Sequence, residues 1–293
     1  MEPLASIIIP FYGKADPALL DRCLASLRRQ EAEEGKDYEI IVADTPLRST
    51  GDARNRGIDR ARGQYLFFVD ADDLLLPGSL RPVLDVARSE QPDIVRFGFR
   101  TFGGQPPTDV SPTGPDRLTR YPNGAAFMAA HNFTGVIWTQ FYRREFILSH
   151  GLRFSNTSHF DDEEFAAKAY ACAGPMVETR RTVYACYENP ASITRDIPPE
   201  KRRQRLDAFR QLLERLLDFR DSLPDADARH ALDRRLCFLT IDYVRQMRRN
   251  RCTPGQMRQR LHELCPTGLL PLPARPYGWK YALARMGVNL LAT

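Results

Sequence analysis

Tyr65-Leu-Phe-Phe-Val69-Asp70-Ala-Asp72-Asp73 is a continuous apolar run that ends abruptly on three carboxylates. A run this short, aromatic and β-branched, without polar alternation, predicts a strand buried on both faces, as in a parallel sheet. Two carboxylates at i and i+2 beyond its end can offer oxygen ligands to one hard divalent ion, and that ion can bridge phosphate oxygens. An Asp cluster that caps the next helix has the same composition, so the motif alone leaves both uses open.

Upstream, Ser6-Ile-Ile-Ile-Pro10 and Tyr38-Glu-Ile-Ile-Val-Ala43 read as two more buried strands, the second ending at Asp44. Between them Asp16-Pro17 supplies an N-cap and a first-turn proline, and Leu19, Leu20, Cys23, Leu24 and Leu27 follow at helical spacing. Ser49 or Thr50 is expected to cap a helix through about Arg62, closed by Gly63. Downstream, Ser79 is expected to cap a helix with Leu80, Val83, Leu84 and Ala87 inward. Ile94–Thr101 alternates Val95, Phe97 and Phe99 against Arg96, Gly98 and Arg100, as a strand with one wet face does. Gly103–Pro115 reads as a Gly/Pro-rich loop, and helical patterns resume at 124–131, 143–150 and 162–173. Strands alternating with helices predict an α/β fold with a largely parallel, doubly wound sheet, whose ligands sit beyond the carboxyl ends of the strands. Pro10-Phe-Tyr12, Asp44 and Asp70–Asp73 all fall there.

A second acidic run, Asp161-Asp162-Glu-Glu, opens a helical pattern after Phe160. Four acids in a first turn suit the helix dipole. The functional alternative is a general base: a carboxylate near a bound metal-nucleotide takes the proton from an attacking hydroxyl. Trp138 and Tyr142 read as packing residues, with Trp138 also able to border a donor sugar. His159 reads as a turn residue that could also contact a diphosphate.

The 293 residues are enough for about two domains, and 43% hydrophobic with 27% charged residues excludes a disordered or collagen-like chain. The pattern changes after Pro198-Pro199. Leu206, Phe209, Leu212, Leu213, Leu216 and Leu217 form one helical stripe, and Leu232, Leu236, Leu239, Tyr243 and Met247 another. The expected division is an α/β domain over 1–198 and a basic helical region over 199–293. Residues 1–199 carry 23 Lys+Arg against 27 Asp+Glu, a net −4, whereas residues 200–293 carry 19 against 10, a net +9. That asymmetry predicts an anionic partner for the tail. Arg275, Tyr277, Trp279, Lys280, Tyr281 and Arg285, with Leu283, Met286, Leu290 and Leu291, suit a segment at an anionic bilayer surface. No nucleic-acid motif accompanies the charge. Apolar runs are too short to span a bilayer, and Met1-Glu2-Pro3 lacks the basic start of a signal peptide. A cytoplasmic chain, peripheral on the cytoplasmic face of a membrane, is expected. The six cysteines stand singly, without C-x-x-C or zinc spacing, and read as reduced, buried packing residues.

Taken in order, Ser6-Ile-Ile-Ile-Pro10-Phe-Tyr12, Glu39-Ile-Ile-Val-Ala-Asp44, Asp52-Ala-Arg54-Asn55-Arg-Gly57-Ile, Ala61–Asp73, Trp138-Thr-Gln-Phe-Tyr142-Arg-Arg-Glu-Phe, Gly151-Leu-Arg-Phe154 and Asp161-Asp162-Glu-Glu-Phe165 resemble glycosyltransferase family 2, inverting enzymes of GT-A fold. The resemblance covers roughly residues 5–195. It implies that Pro10, Tyr12, Asp44 and Arg54 surround the base and ribose of a nucleotide-diphosphate sugar, with a UDP-sugar favoured. It further implies that Asp70 and Asp72 form the Asp-x-Asp motif, that Asp72 holds Mn2+ or Mg2+, and that Asp162 is the base. The acceptor implied is a hydroxyl of a lipid-linked or polysaccharide substrate. Asp161 stands where the family has Glu, so either member of the Asp161-Asp162 pair is a candidate base. Phe-Tyr-Gly follows Pro10 in place of the aromatic-Asn pattern, and Thr50-Gly51 follows Asp44 where relatives insert a further helix and strand. That trimming on the nucleotide side keeps a catalytically silent sugar-nucleotide-binding module as an alternative. Asp70-x-Asp72 also superficially mimics a haloacid-dehalogenase-type phosphatase, which wants its nucleophile on the first core strand.

Overall fold

The computed structural model describes residues 2–13, 16–46, 49–104, 117–157, 159–188 and 198–293. In chain order, β1 (Ala5–Pro10), α1 (Pro17–Arg28), β2 (Tyr38–Ala43), α2 (Thr50–Arg60) and β3 (Tyr65–Phe68) come first. The two-residue β4 (Leu74–Leu75), α3 (Leu80–Glu90), β5 (Ile94–Phe102) and β6 (Leu118–Tyr121) follow. Next are α4 (Gly124–Ala130), β7 (Gln140–Arg143), α5 (Arg144–Ser149), α6 (Asp161–Cys172) and β8 (Met176–Tyr187). The helices α7 (Pro199–Ser222), α8 (Ala226–Arg249), α9 (Pro254–His262) and α10 (Trp279–Ala292) complete the order. Most of the expected Gly103–Pro115 loop lies outside the described residues.

The strands form one eight-stranded sheet in the order β2-β1-β3-β7-β5-β8-β4, with β6 on β8. Strands β1, β2, β3, β5 and β8 run one way and β4, β6 and β7 the other. The expected α/β class with a mostly parallel sheet is therefore what the chain builds. Four strands were not foreseen, β4, β6, β7 and β8; of these β7 enters antiparallel between β3 and β5. Every residue of β1 and β3 is buried, which is why neither strand shows polar alternation.

Local signals explain most element ends. Asp16 Oδ1 accepts from the Ala18 amide at 2.9 Å with Pro17 in the first turn, and Ser49 Oγ accepts from the Asp52 amide at 3.4 Å. Two expectations are corrected. Ser79 does not cap α3 with its side chain; Gln30 Oε1 accepts from the Ser79 and Leu80 amides, both at 3.1 Å, and the Ser79 hydroxyl donates to Leu76 O at 2.6 Å. Gly63 does not close α2, which ends at Arg60 with Ala61 as its C-cap; a Cβ at Gly63 would lie 2.5 Å from the Ser6 amide nitrogen, so Gly63 is required for close approach to β1. Gly57 does the same from α2, where a Cβ would come within 2.2 Å of Ile8 Cγ2.

The chain divides into two compact units, Met1–Gly124 with Thr134–Arg195, and Ala125–Phe133 with Asp196–Thr293. This differs from a simple division at 198, because the 125–133 segment goes with the helices. Arg234 Nη1 donates to Met128 O (3.1 Å) and His131 O (2.8 Å), and Arg235 Nη1 donates to Phe133 O (2.8 Å). Such bonds between distant segments leave no periodic trace in sequence. The two leucine-rich stripes of α7 and α8 are buried as expected, with Phe209 against Tyr243 at 5.5 Å. The six cysteines are free, but Cys23 and Cys237 alone are buried; Cys265 is exposed at a helix end, which corrects the packing expectation for it. No helix among the described residues is long and apolar enough to cross a membrane.

Candidate active site

Strand register brings three of the sequence-selected segments to one edge of the sheet. Pro10 pairs with Ala43, the Phe11 amide donates to Ala43 O at 2.9 Å, and the Val69 amide donates to Ile8 O at 3.0 Å. Pro10, Asp44 and Asp70 thus leave the carboxyl ends of adjacent parallel strands, where an α/β sheet binds ligands. Pro10 is buried, Tyr12 is half-buried and Asp44 is exposed. The Tyr12 and Thr50 hydroxyls share a 2.8 Å hydrogen bond, which ties the segment after β1 to the start of α2.

Arg54 on α2 is the junction of the site. Its Nη2 donates to Asp70 Oδ1 at 3.0 Å and its Nη1 to Asp161 Oδ2 at 2.8 Å. The guanidinium is 6% exposed and lies 5.3 Å from the Phe154 ring centroid. Burial works against its charge, but Asp70 and Asp161 outweigh burial and hold it cationic. Next to it Asn55 clamps the Phe154 backbone both ways, donating from Nδ2 to the carbonyl and accepting the amide on Oδ1, each at 2.9 Å. Phe154 in turn stacks on Phe165 of α6 with centroids 4.0 Å apart. The Asp52–Gly57 motif therefore docks α2 onto β1 through Gly57, onto the Phe154 segment through Asn55, and onto both acidic runs through Arg54.

The acids after β3 take separate roles. Asp73 is 2% exposed; its Oδ2 accepts from the Tyr184 hydroxyl and its Oδ1 from the Tyr187 amide, both at 2.6 Å. The Tyr184 hydroxyl also accepts from the Asp70 amide at 3.0 Å, so one tyrosine fixes both ends of the turn. Burial, with Asp70 adding to it, pushes the Asp73 carboxyl up to about 8 against the pull of Tyr184 and Tyr187. Arg22 donates to the Asp72 carbonyl at 3.1 Å while stacking 4.5 Å over Tyr187. Asp73 was read only as part of the Asp70–Asp73 run, and Tyr184, Tyr187 and Arg22 were missed by sequence reasoning; the two tyrosines lie on β8, over a hundred residues downstream, and nothing local marks them. Trp138 is 8% exposed and stacks on Tyr184 at 4.6 Å, in keeping with the packing reading.

The second acidic run starts α6 from a strained turn. Phe160 has φ +65°, a left-handed conformation that a bulky residue adopts only when its surroundings impose it. Asp161 is buried against Arg54; burial raises its carboxyl and Arg54 opposes the rise. Asp162 Oδ1 accepts from the Glu163 amide at 2.8 Å, and burial, partly offset by Arg54, pushes its carboxyl up to about 7. A carboxylate near 7 is matched to proton abstraction at neutral pH. His159 is half-buried beside Phe160, with ring centroids 6.1 Å apart.

No group of three or more His, Cys, Asp and Glu side chains among the described residues is arranged to hold a metal by itself. The carboxylates of Asp70 and Asp72 nonetheless fit the way Mg2+ and Mn2+ use one or two hard oxygens and complete the shell with phosphates and water.

The sequence profile described as glycosyl transferase family 2 matches residues 6–46 and 48–151. The chain is 31% identical over 228 residues to the uncharacterized glycosyltransferase EpsJ of Bacillus subtilis (strain 168), covering 68% of this chain and 64% of EpsJ. It is 24% identical over 226 residues to the succinoglycan biosynthesis protein ExoO of Rhizobium meliloti (strain 1021), covering 66% of this chain and 63% of ExoO. The chain therefore spans somewhat less than two thirds of either relative. In fold it is similar to S. aureus TarS 1-349, solved in complex with UDP, with TM-score 0.64 and 16% identity over 98% of this chain and 88% of that one. The α/β arrangement is thus GT-A-like.

Proposed function

Because the chain belongs to glycosyltransferase family 2, we propose that it moves a sugar from a nucleotide-diphosphate sugar to an acceptor hydroxyl, with inversion at the anomeric carbon. The observation that carries this reading is the Arg54 bridge from Asp70 Oδ1 (3.0 Å) to Asp161 Oδ2 (2.8 Å), which sets the end of β3 beside the start of α6. Asp70 and Asp72 take the donor side, with Pro10, Tyr12 and Asp44 toward the nucleoside. Asp162 takes the proton of the acceptor hydroxyl as its oxygen forms the new bond to the anomeric carbon. The bond from that carbon to the diphosphate oxygen breaks on the opposite face, and the diphosphate leaves. Asp72 is the residue that would hold Mg2+ or Mn2+, and such an ion, when bound, neutralises the charge gathering on the leaving diphosphate. A UDP-sugar donor is supported by TarS, a protein of similar fold solved with UDP and with UDP-GlcNAc. The acceptor in this reading is a polysaccharide or lipid-linked hydroxyl; its polysaccharide side is supported by ExoO, whose name is that of a succinoglycan biosynthesis protein. The reading keeps the cytoplasmic location, peripheral at the inner face of a membrane, that the sequence alone predicts.

Sugar nucleotides screened with Mn2+ or Mg2+ by thermal shift test the donor side, since a ligand of the native state alone raises stability. The expected result is a metal-dependent rise with a UDP-sugar, lost in EDTA. Asp72→Asn weakens that binding about tenfold, the size of one lost charged contact. Equal affinity with and without EDTA overturns the metal assignment. Binding without transfer to any acceptor leaves a binding module, and phosphate release without acceptor points to a phosphatase.

A further inference from the structure

Large apolar side chains exposed to solvent are concentrated on α10. Trp279, Leu283, Met286 and Leu290 are 70%, 62%, 61% and 76% exposed; elsewhere among the described residues only Phe99 and Leu148 are exposed, at 41% and 37%. At 3.6 residues per turn the four project within an arc of roughly 60°. Tyr281, Val288 and Ala292, on the opposite side of the helix, are buried. That buried side is firmly held. The Tyr281 hydroxyl donates to Pro273 O at 2.8 Å, its ring lies 5.5 Å from Phe238, and the Asn289 side chain clamps the Leu272 backbone at 2.7 and 3.0 Å. A small rotation cannot hide the outer stripe without breaking these contacts. The helix is apolar on two opposite faces, and only one is covered by its own unit.

Charge selects the occupant of the other face. Lys280 and Arg285 flank the stripe on either side, Arg275 precedes it, and residues 264–293 contain no Asp or Glu. We propose that the outer face of α10 docks on an anionic bilayer, lying in the headgroup boundary with Trp279 at headgroup depth and the cations against lipid phosphates. Fourteen residues are too few to span the bilayer, so the helix lies along it. The proposal gives the lipid-linked acceptor of the preceding reading a place to be met, and rests on that reading only for its purpose. Vesicle binding is measured without any sugar donor, so failure here and failure of the transferase reading are separate results.

The full chain is incubated with vesicles of phosphatidylcholine or of phosphatidylglycerol, followed by sedimentation and Trp emission. The expected result is binding to phosphatidylglycerol with a blue shift, and little binding to phosphatidylcholine. Trp279→Phe, in a chain with two tryptophans, removes the shift while binding persists. Leu283→Glu with Leu290→Glu, both at exposed positions, lowers vesicle affinity by at least about tenfold with an unchanged unfolding midpoint. Lys280→Ala with Arg285→Ala lowers affinity about tenfold for the anionic vesicles only. The proposal is overturned if the full chain binds neither vesicle, or if the Leu283→Glu, Leu290→Glu variant binds as the parent does. It is also overturned if the parent self-associates and that variant dissolves the oligomer, because a second copy then covers the face.

Discussion

Asp70-Ala-Asp72-Asp73 and Asp161-Asp162-Glu163-Glu164 are two four-residue acidic runs, one following a strand and one opening a helix. Their neighbours divide the labour differently. In the first run the turn is locked by its last member, since Asp73 is tied to Tyr184 and Tyr187 while Asp70 faces Arg54. In the second the outer acids are tied, Asp161 to Arg54 and Glu164 to Lys168 at 2.7 Å, and Asp162 between them sits in a site that favours its protonated form. Burial raises the proton affinity of Asp73, Asp161 and Asp162 alike; Asp73 also holds the backbone of its turn and Asp161 also holds Arg54, whereas among the described residues the Asp162 carboxyl bonds only the amide of the next residue. Partner and burial assign the role; residue type alone does not.

The comparison breaks most completely at the residue the two runs share. Arg54→Met leaves the buried Asp161 carboxylate without its cation, and the expected loss is about 3 kcal/mol of stability together with donor binding. Adding Asp161→Leu recovers part of the stability and none of the binding; chemical denaturation and calorimetry on both proteins check this. If the single variant is as stable as the parent, the bridge has no structural weight.

Asp162→Asn removes the proton acceptor with almost no change of shape. Transfer falls roughly 100-fold or more while donor affinity stays within a factor of about two. In the parent the rate rises with pH through about 7, as Asp162 loses its proton. Asp161→Asn keeps an oxygen for Arg54, costs about 1 kcal/mol and retains most turnover. Rates normalised to folded protein decide between the two, and an inactive Asp161→Asn with an active Asp162→Asn moves the base by one residue.

The comparison is sharpened last at Asp73, through the pH dependence of stability rather than through activity. Its carboxyl is raised from 3.8 to about 8 on folding, so the folded chain holds a proton there that the unfolded chain has released. The contribution is fully present below about pH 4 and is lost as the pH rises toward 8. Asp73→Asn removes this titration, so its curve of stability against pH is flatter over that window and the variant gains on the parent as the pH rises. Unfolding midpoints of parent and variant across the window measure it; parallel curves place Asp73 outside the titration.

The legible parts of the molecule were those decided locally. Strands β1, β2 and β3 are short runs of aromatic and branched residues with turn signals on either side, and their ends lie where Pro10, Asp44 and Asp70 were expected. The Asp161-Asp162 start of α6 was equally plain. Strand β7 was not, because Gln140-Phe-Tyr-Arg143 is too short for a period and its slot between β3 and β5 depends on pairing alone. Strand β8 carries Glu178, Arg180 and Arg181 in its middle, which masks its apolar ends. With β8 hidden, Tyr184 was hidden too, and with it the reason Asp73 is buried. Gln30 capping α3 from the end of α1 is a further case in which a side chain from elsewhere supplies what the local Ser79 was expected to give.

The Arg54 bridge also bears on the order in which the chain folds. Its two bonds reach across 16 residues to Asp70 and 107 residues to Asp161. The nearer bond forms once β3 meets α2, whereas the farther one waits for a loop of over a hundred residues to close, the kind of contact that slows folding. In refolding, secondary structure is expected to recover before donor binding, so that nucleotide affinity reports this long-range closure. A chain cut between α3 and β5 therefore loses the ligand before it loses the β2-β1-β3 wing.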